Sequence, residues 1–176
     1  MAELIIINLD IYQFFLRSWS LNDAPSLAKY ANNKKIWLSM RDEFPYPFLE
    51  RDAVEFIKKF NSTNDSLYLA IANEFEAMGN IGVYFNNDVK RKSAVLSYWI
   101  GEPFWGCGIA TNAIKKYCDY MFYNFDVIRI YAKLFENNIG SKRALEKAGF
   151  IKEGYFRKAI IKEGKMLDQY LYAKVI

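Results

Sequence analysis

The sequence predicts a mixed α+β domain built on one mostly antiparallel sheet, not a doubly wound parallel one. Three observations predict it. Helical and strand periodicities follow one another as β-α-α-βββ-α-β-α-ββ, so strands come as a run of three and a closing pair. Within that run, Asn73–Glu76 and Asn86-Asn87-Asp88 are turn clusters suited to hairpins. The segment 94–134 reads strand, helix, strand, which requires a crossover and hence one parallel or splayed pair. The count is about seven strands and about four helices. The 176 residues show no linker, repeat or low-complexity stretch, so one domain spanning 1–176 is expected.

Each element has a local cause. Tyr12–Arg17 reads as a first strand. Ser20-x-x-Asp23 resembles a capping box, and Ala24, Leu27, Ala28 and Ala31 then recur at helical spacing. Residues 33–48 read as irregular, with Pro45 and Pro47 flanking Tyr46, and a short helix follows at 51–60. Leu67–Ala72 is apolar on both faces, as in a central strand. Met78–Phe85 and Ala94–Ile100 complete a meander. A helix from Ile109 turns Ala110, Ala113, Ile114, Tyr117 and Met121 inward. Ile128–Leu134 alternates cleanly and reads as a half-buried strand. Ser141 opens a short helix, and Gly149 sits where a left-handed C-cap belongs. Tyr155–Ile161, the turn Lys162–Lys165 and Leu167–Val175 form a final hairpin.

Composition excludes several chemistries. Apolar residues make up 52% and charged residues 25% of the chain, a globular balance. There is no histidine, which removes a Ser-His-Asp triad, a Cys-His pair and His-ligated zinc. Cys107 and Cys118 form no C-x-x-C pair, so neither a disulfide framework nor a metal site is expected. A net charge of +4, scattered in ones and twos, lacks the stripe of a nucleic-acid binder. No stretch approaches the roughly 20 apolar residues of a membrane span. Leu4–Ile7 is too short for a signal peptide, so a cytoplasmic protein is expected.

One stretch carries the chemistry. In Trp99-Ile-Gly-Glu-Pro-Phe-Trp-Gly-Cys-Gly-Ile-Ala-Thr111 a strand breaks at Gly101 and Pro103, and a loop with Gly106 and Gly108 leads into a helix. Strand, glycine loop and helix together present backbone N–H groups at the positive end of a helix, which is an anion site.

With these residues in view, the chain resembles the GNAT superfamily of acyl-CoA-dependent N-acetyltransferases. It is most similar to the branch that includes the ribosomal-protein N-terminal acetyltransferases. Phe104–Thr111 resembles the pyrophosphate loop, Glu136–Phe150 the second cofactor segment, and Glu153-Gly-Tyr-Phe-Arg157 through Asp168 the C-terminal hairpin of that branch. The resemblance implies a single-domain fold with a central splay, and acetyl-CoA as co-substrate. It implies an amine acceptor: a ribosomal or other protein N-terminus, or a small amine. Direct attack in a ternary complex is the implied route. A non-catalytic acyl-CoA sensor or subunit is the alternative reading, and monomer and homodimer both stay open. Two positions depart from the superfamily pattern. Pro103 stands where Arg or Gln is frequent, and Leu145 where many members place a thiolate-protonating Tyr.

The resemblance also assigns roles. The backbone N–H groups of Trp105, Gly106, Cys107, Gly108, Ile109, Ala110 and Thr111 would grip the pyrophosphate. Asn138 in Asn-x-x-Ser would bond the pantetheine arm, beside Ser141. Trp99, Ile100 and Gly101 would border the thioester, with an oxyanion donor near Ile100 and Gly101. Ser141 takes the role of thiolate acid, because Leu145 cannot. Glu102 is the carboxylate nearest in sequence to the reaction centre and the first choice of base, with Glu43 and Asp168 as rivals. The acceptor site is expected between the 33–48 loop and the hairpin, where Phe44, Tyr46 and the acidic residues would favour a cationic amine.

Overall fold

A computed structural model describes residues 4–11 and 13–176. The chain runs β1 (Ile6–Asn8), β2 (Phe15–Ser18), α1 (Ala24–Ala31), α2 (Lys34–Trp37) and α3 (Glu50–Ser62). It continues through β3 (Ser66–Ala72), β4 (Ala77–Phe85), β5 (Ser93–Ile100), α4 (Ile109–Asn124), β6 (Arg129–Phe135), α5 (Ile139–Lys147), β7 (Ile151–Lys162) and β8 (Lys165–Val175). The strands form one sheet in the order β1-β2-β3-β4-β5-β6-β8-β7. Only β5 and β6 are parallel, joined through α4 as the 94–134 pattern requires. The fold class is therefore the expected α+β.

Among the described residues there are eight strands and five α-helices, one more of each than the sequence suggests. The additional strand, β1, is the Leu4–Ile7 apolar run, which pairs with β2 from Ile6 to Asn8. The additional helix, α2, lies in the stretch read as irregular. It is capped by Asn33, whose side chain accepts the N–H groups of Lys35 and Ile36. The expected first strand begins at Phe15; Tyr12 lies outside the described residues.

Alternation divides the sheet into two faces. Tyr98 of β5 reaches α5, where its hydroxyl donates to the Ser141 carbonyl at 3.1 Å. Its neighbour Trp99 packs on Phe44 of the 38–48 loop instead. The α4/α5 face is sealed by Ile109, Ala113, Ile114, Tyr117 and Met121 of α4, all buried. On the other face, Tyr68 and Tyr84 pack with Phe56 and Phe60 of α3. Such packing of large apolar groups is the main stabilising contribution.

The C-terminal hairpin reaches across the second face. Its turn holds Glu163 and Gly164 at positive φ. Lys162, buried to 4% exposure, donates to Asp42 at 2.7 Å and lies 3.7 Å over the Trp37 ring. Lys34 pairs with Glu163 at 3.0 Å. The hairpin tip is thereby clasped to α2 and the 38–48 loop.

Candidate active site

The site begins where two strands separate. β5 stays paired with β4 as far as Gly79↔Ile100, but β5 and β6 pair only from Ser93↔Arg129 to Val95↔Tyr131. The parity of the ladder decides which groups this frees. The Asn86 N–H donates to the Ser93 carbonyl, and the Gly101 N–H to the Met78 carbonyl at 2.8 Å. Odd positions of β5 thus turn their backbone groups to β4. Leu96, Tyr98 and Ile100 turn theirs toward β6, which has moved away. The amides of Tyr98 and Ile100 are left facing the gap, an arrangement a buried strand tolerates only when something else satisfies them. The Ile100 carbonyl is satisfied locally by the Trp105 indole N–H at 2.7 Å.

This corrects one expectation. Gly101 does not offer a free donor, because its N–H is bound to Met78. Its glycine character serves packing: a Cβ there would stand 2.7 Å from the Tyr30 ring. The backbone groups of Ile100, and with them those of Tyr98, are the ones that face the gap.

A cavity of about 780 Å³ fills the gap. Trp99 and Ile100 line it from β5, and Trp105, Gly106 and Gly108 from the loop. Ala110 and Thr111 enter from the first turn of α4, and Asn138 and Ser141 from the start of α5. Gly106 and Gly108 both have φ of 78°, in the region that favours glycine, and a Cβ on Gly106 would meet nothing within 4 Å. The loop is therefore an open cradle. The first α4 hydrogen bond runs from the Asn112 N–H to the Gly108 carbonyl, so the amides before it have no helical partner. Arg143 and Lys147 of α5 add positive charge at this end. A diphosphate fits such a cradle on charge and on hydrogen bonding.

Other expected residues fall outside the cavity. The Cys107 side chain is exposed and points its thiol at the Trp105 carbonyl, 3.6 Å away. The Ile109 side chain is core, at 2% exposure. What these two offer a ligand is the backbone N–H. Glu102 faces α2, accepting from Asn33 at 2.7 Å and from Lys35. The Lys35 ammonium first, and the Asn33 amide next, hold its carboxyl below the usual range. That makes Glu102 a weaker base than an ordinary carboxylate.

Both rivals are also engaged. Glu43 is ion-paired with Arg41. Asp168 accepts from the Tyr155 hydroxyl and from the Lys158 N–H at 2.7 Å, and these two bonds hold its carboxyl low. It organises a bulge of the β7–β8 hairpin, between Phe156 and Ile160.

Asn138, not Ser141, caps α5: its side-chain oxygen accepts the Ser141 N–H at 3.1 Å. Ser141 therefore sits one turn in, on the cavity wall. Tyr98 is the residue the sequence did not single out. Burial pushes its phenol above its ordinary value, with the contact to Ser141 opposing. Alternation placed Tyr98 on one face with Leu96 and Ile100, but nothing local says which face a ligand would meet.

Known proteins share sequence and fold with this chain. Residues 13–151 match a family model described as an acetyltransferase (GNAT) domain. The chain is 28% identical over 165 residues to an uncharacterized N-acetyltransferase, p20, of Bacillus licheniformis, covering 90% of each. It is 29% identical over 163 residues to the [ribosomal protein uS5]-alanine N-acetyltransferase of Escherichia coli, covering 89% of this chain and 81% of that one. Among solved structures, the microcin C7 self-immunity acetyltransferase MccE, in complex with acetyl-CoA and AMP, superposes with a TM-score of 0.81 at 31% identity over 94% of each chain. The ribosomal L7/L12 acetyltransferase RimL in complex with coenzyme A superposes at 0.85 and 21% identity over 98% of each, a likeness of fold.

Proposed function

Because the chain belongs to the GNAT family and is an acyl-CoA-dependent acetyltransferase, we propose that it passes acetyl from acetyl-CoA directly to a primary amine while both are bound. The observation that carries this reading is the gap between β5 and β6. It joins the glycine cradle to the opposite face of the sheet, and it is bordered by backbone amides that no strand uses.

The roles follow from placement. The loop from Gly106 to Gly108 and the first turn of α4 hold the diphosphate, with Thr111 beside it; the Trp105 N–H, expected to join them, is instead bound to the Glu102 carbonyl at 3.1 Å. The Asn138 carbonyl oxygen is spent on the helix cap, so its amide N–H groups are what face the pantetheine arm. The Ile100 N–H polarises the thioester carbonyl. One preorganised donor at a developing oxyanion supplies about 3 kcal/mol. A neutral amine attacks, a C–N bond forms, and the C–S bond breaks. The leaving sulfur takes a proton from the Ser141 hydroxyl, and the proton released by the product nitrogen returns through water to Ser141, which restores the hydroxyl.

Among the described residues no carboxylate lines the cavity, and Glu102 is bound elsewhere. The amine is therefore taken from solution in its neutral form, roughly a tenth of an α-amine at pH 7. The test is release of free coenzyme A thiol with a panel of amines and peptide N-termini. Sustained release with at least one acceptor is expected. Thermal stabilisation by acetyl-CoA with no release for any acceptor would leave a binding protein without turnover.

A further inference from the structure

The acceptor side of the gap is cationic, contrary to the cationic-amine pocket expected from Glu43 and its neighbours. The four charged residues lining the main cavity are Lys35, Lys133, Arg143 and Lys147. Arg143 and Lys147 lie on α5, beside the glycine cradle. Lys133 lies on the other face: β6 residues 129, 131 and 133 share a face with Val95, which pairs with Tyr131. That face is the one opposite α4 and α5.

Lys133 also lines a second cavity of about 500 Å³, with Lys90, Lys92, Arg129, Tyr131 and Phe156 around it. The two cavities share Lys133 in their walls, so a chain leaving the gap along β6 would follow a groove from one to the other. From Lys133 to Arg129 it extends about 13 Å, the length of roughly four extended residues. Five carboxylates near the groove are already ion-paired. Glu153 is bound by Arg129, Asp126 by Lys92, Asp42 by Lys162, Glu43 by Arg41 and Glu102 by Lys35. Among the described residues, Lys133 and Lys90 have no acidic partner. An amine reaching the gap along this groove passes two uncompensated cations.

We propose that the acceptor is a polypeptide N-terminus carrying acidic side chains within about its first five residues. Its α-amine reaches the gap between β5 and β6, its backbone runs extended down β6, and its carboxylates meet Lys133 and then Lys90. Tyr131, Phe156 and Leu171 supply the apolar wall for the intervening side chains. This rests on the acetyl-transfer reading, and it names which amines that site takes. The same lysines set a cost on basic N-termini, so discrimination comes from repulsion as well as attraction.

The test uses short peptides that share an N-terminal residue and carry acidic, neutral or basic residues at the next four positions. An amine bearing a phosphate serves as a small anionic control. With acetyl-CoA, kcat/KM for the acidic peptide is expected to exceed that of the neutral one by about tenfold, the scale of one or two screened charge pairs, and to fall with salt. Lys133→Glu should reverse the order, favouring the basic peptide, and Lys133→Ala should flatten it. Lys133 is exposed, so both variants should keep the wild-type melting temperature. Calorimetric binding of the same peptides to enzyme saturated with coenzyme A reads the preference even without turnover, which separates failure of this inference from failure of acetyl transfer. Equal handling of acidic and basic peptides, an unchanged order in Lys133→Glu, or a small anionic amine outperforming every peptide would overturn it.

Discussion

At the scale of single residues, two atoms decide most of the chemistry. Gly108 caps α4 from the left-handed region, at φ 78°. A side chain there costs about 1 kcal/mol in backbone strain whatever its chemistry. Among the described residues its only near neighbour is the Ile11 side chain, 3.6 Å from where a Cβ would sit. Gly108→Ala should therefore lower the melting temperature slightly while acetyl-CoA still raises it. Gly108→Glu adds a carboxylate at the phosphate cradle and should abolish the acetyl-CoA shift, as read by thermal denaturation with and without ligand. The second atom is the Ser141 hydroxyl. Ser141→Ala should lower kcat by about 10²-fold, the scale of a lost general acid, with the acetyl-CoA shift intact. Tyr98→Phe should cost about 1 kcal/mol of stability through the lost bond to the Ser141 carbonyl, and leave kcat near wild type. Inverse kcat effects in the two variants would transfer the proton-donor role to Tyr98. The sequence carried Gly108 and Ser141 because their roles depend on short spacings. It did not carry Tyr98, whose role depends on which face of the sheet α5 covers.

At the scale of elements, local signals and long-range ones part company. The β3–β4–β5 meander lies within a residue or two of its expected bounds, because alternation and turn residues are local. Gly149 is a left-handed cap as expected, at φ 88°. The Phe150 N–H reaches the Leu145 carbonyl and the Gly149 N–H the Glu146 carbonyl. The misses are short or context-held. β1 has three residues and α2 four, too few for any period to register. β7 begins at Ile151, ahead of Tyr155, because a register shift between Lys152 and Gly154 breaks its alternation. The clasp at the hairpin tip was beyond reach, since Asp42 and Lys162 are 120 positions apart. It also makes a prediction. Lys162 is buried and Asp42 is its acidic partner, so Asp42→Asn leaves a buried ammonium with a weaker acceptor. A loss of about 1 kcal/mol is expected, since Asp42 itself is solvent-exposed and screened. Because the clasp ties the 38–48 loop to the hairpin, KM for the acceptor should rise while KM for acetyl-CoA holds. Equal effects on both would place the clasp outside acceptor binding.

At the scale of the whole molecule, the sheet order explains why the position of the gap was only partly legible. Gly101 and Pro103 mark where β5 ends, yet the separation from β6 begins five residues earlier, after Val95. Beyond that point β6 stays paired with β8 alone, as it is from Arg129↔Val175 to Phe135↔Gln169, a contact between distant segments. The same global view fixes the response to acid. Desolvation raises the Glu76 carboxyl, but bonds from Tyr30 and Lys29 outweigh it and hold the group low. Arg129 holds Glu153 low, and Tyr155 holds Asp168 low. A carboxyl whose folded value lies below its unfolded one contributes stability above the unfolded value and loses it as pH falls through the folded one. Stability should therefore be level above about pH 5 and decline below about pH 4, as followed by denaturant midpoints across that range.

The response of activity to alkali belongs to the molecule as a whole, because the chain contains no histidine. Burial pushes the Cys118 thiol up to about 12, beyond the working range. The carboxylates near the gap are ion-paired. With Cys107→Ser removing the exposed thiol and burial lifting the Cys118 thiol, no side chain of the protein is left to titrate between about 5 and 9. A rise in kcat/KM across that interval then reports the acceptor amine losing its own proton. For a peptide N-terminus the rise should follow one ionisation and level off near the α-amine value of about 8. Lys133 beside the gap, without an acidic partner among the described residues, favours the neutral amine, so the bound value should fall below the free one. Changing the acceptor to a peptide with a less basic α-amine should move the inflection by the same amount as its free value. An inflection fixed against that change would mean that a group on the protein takes the proton.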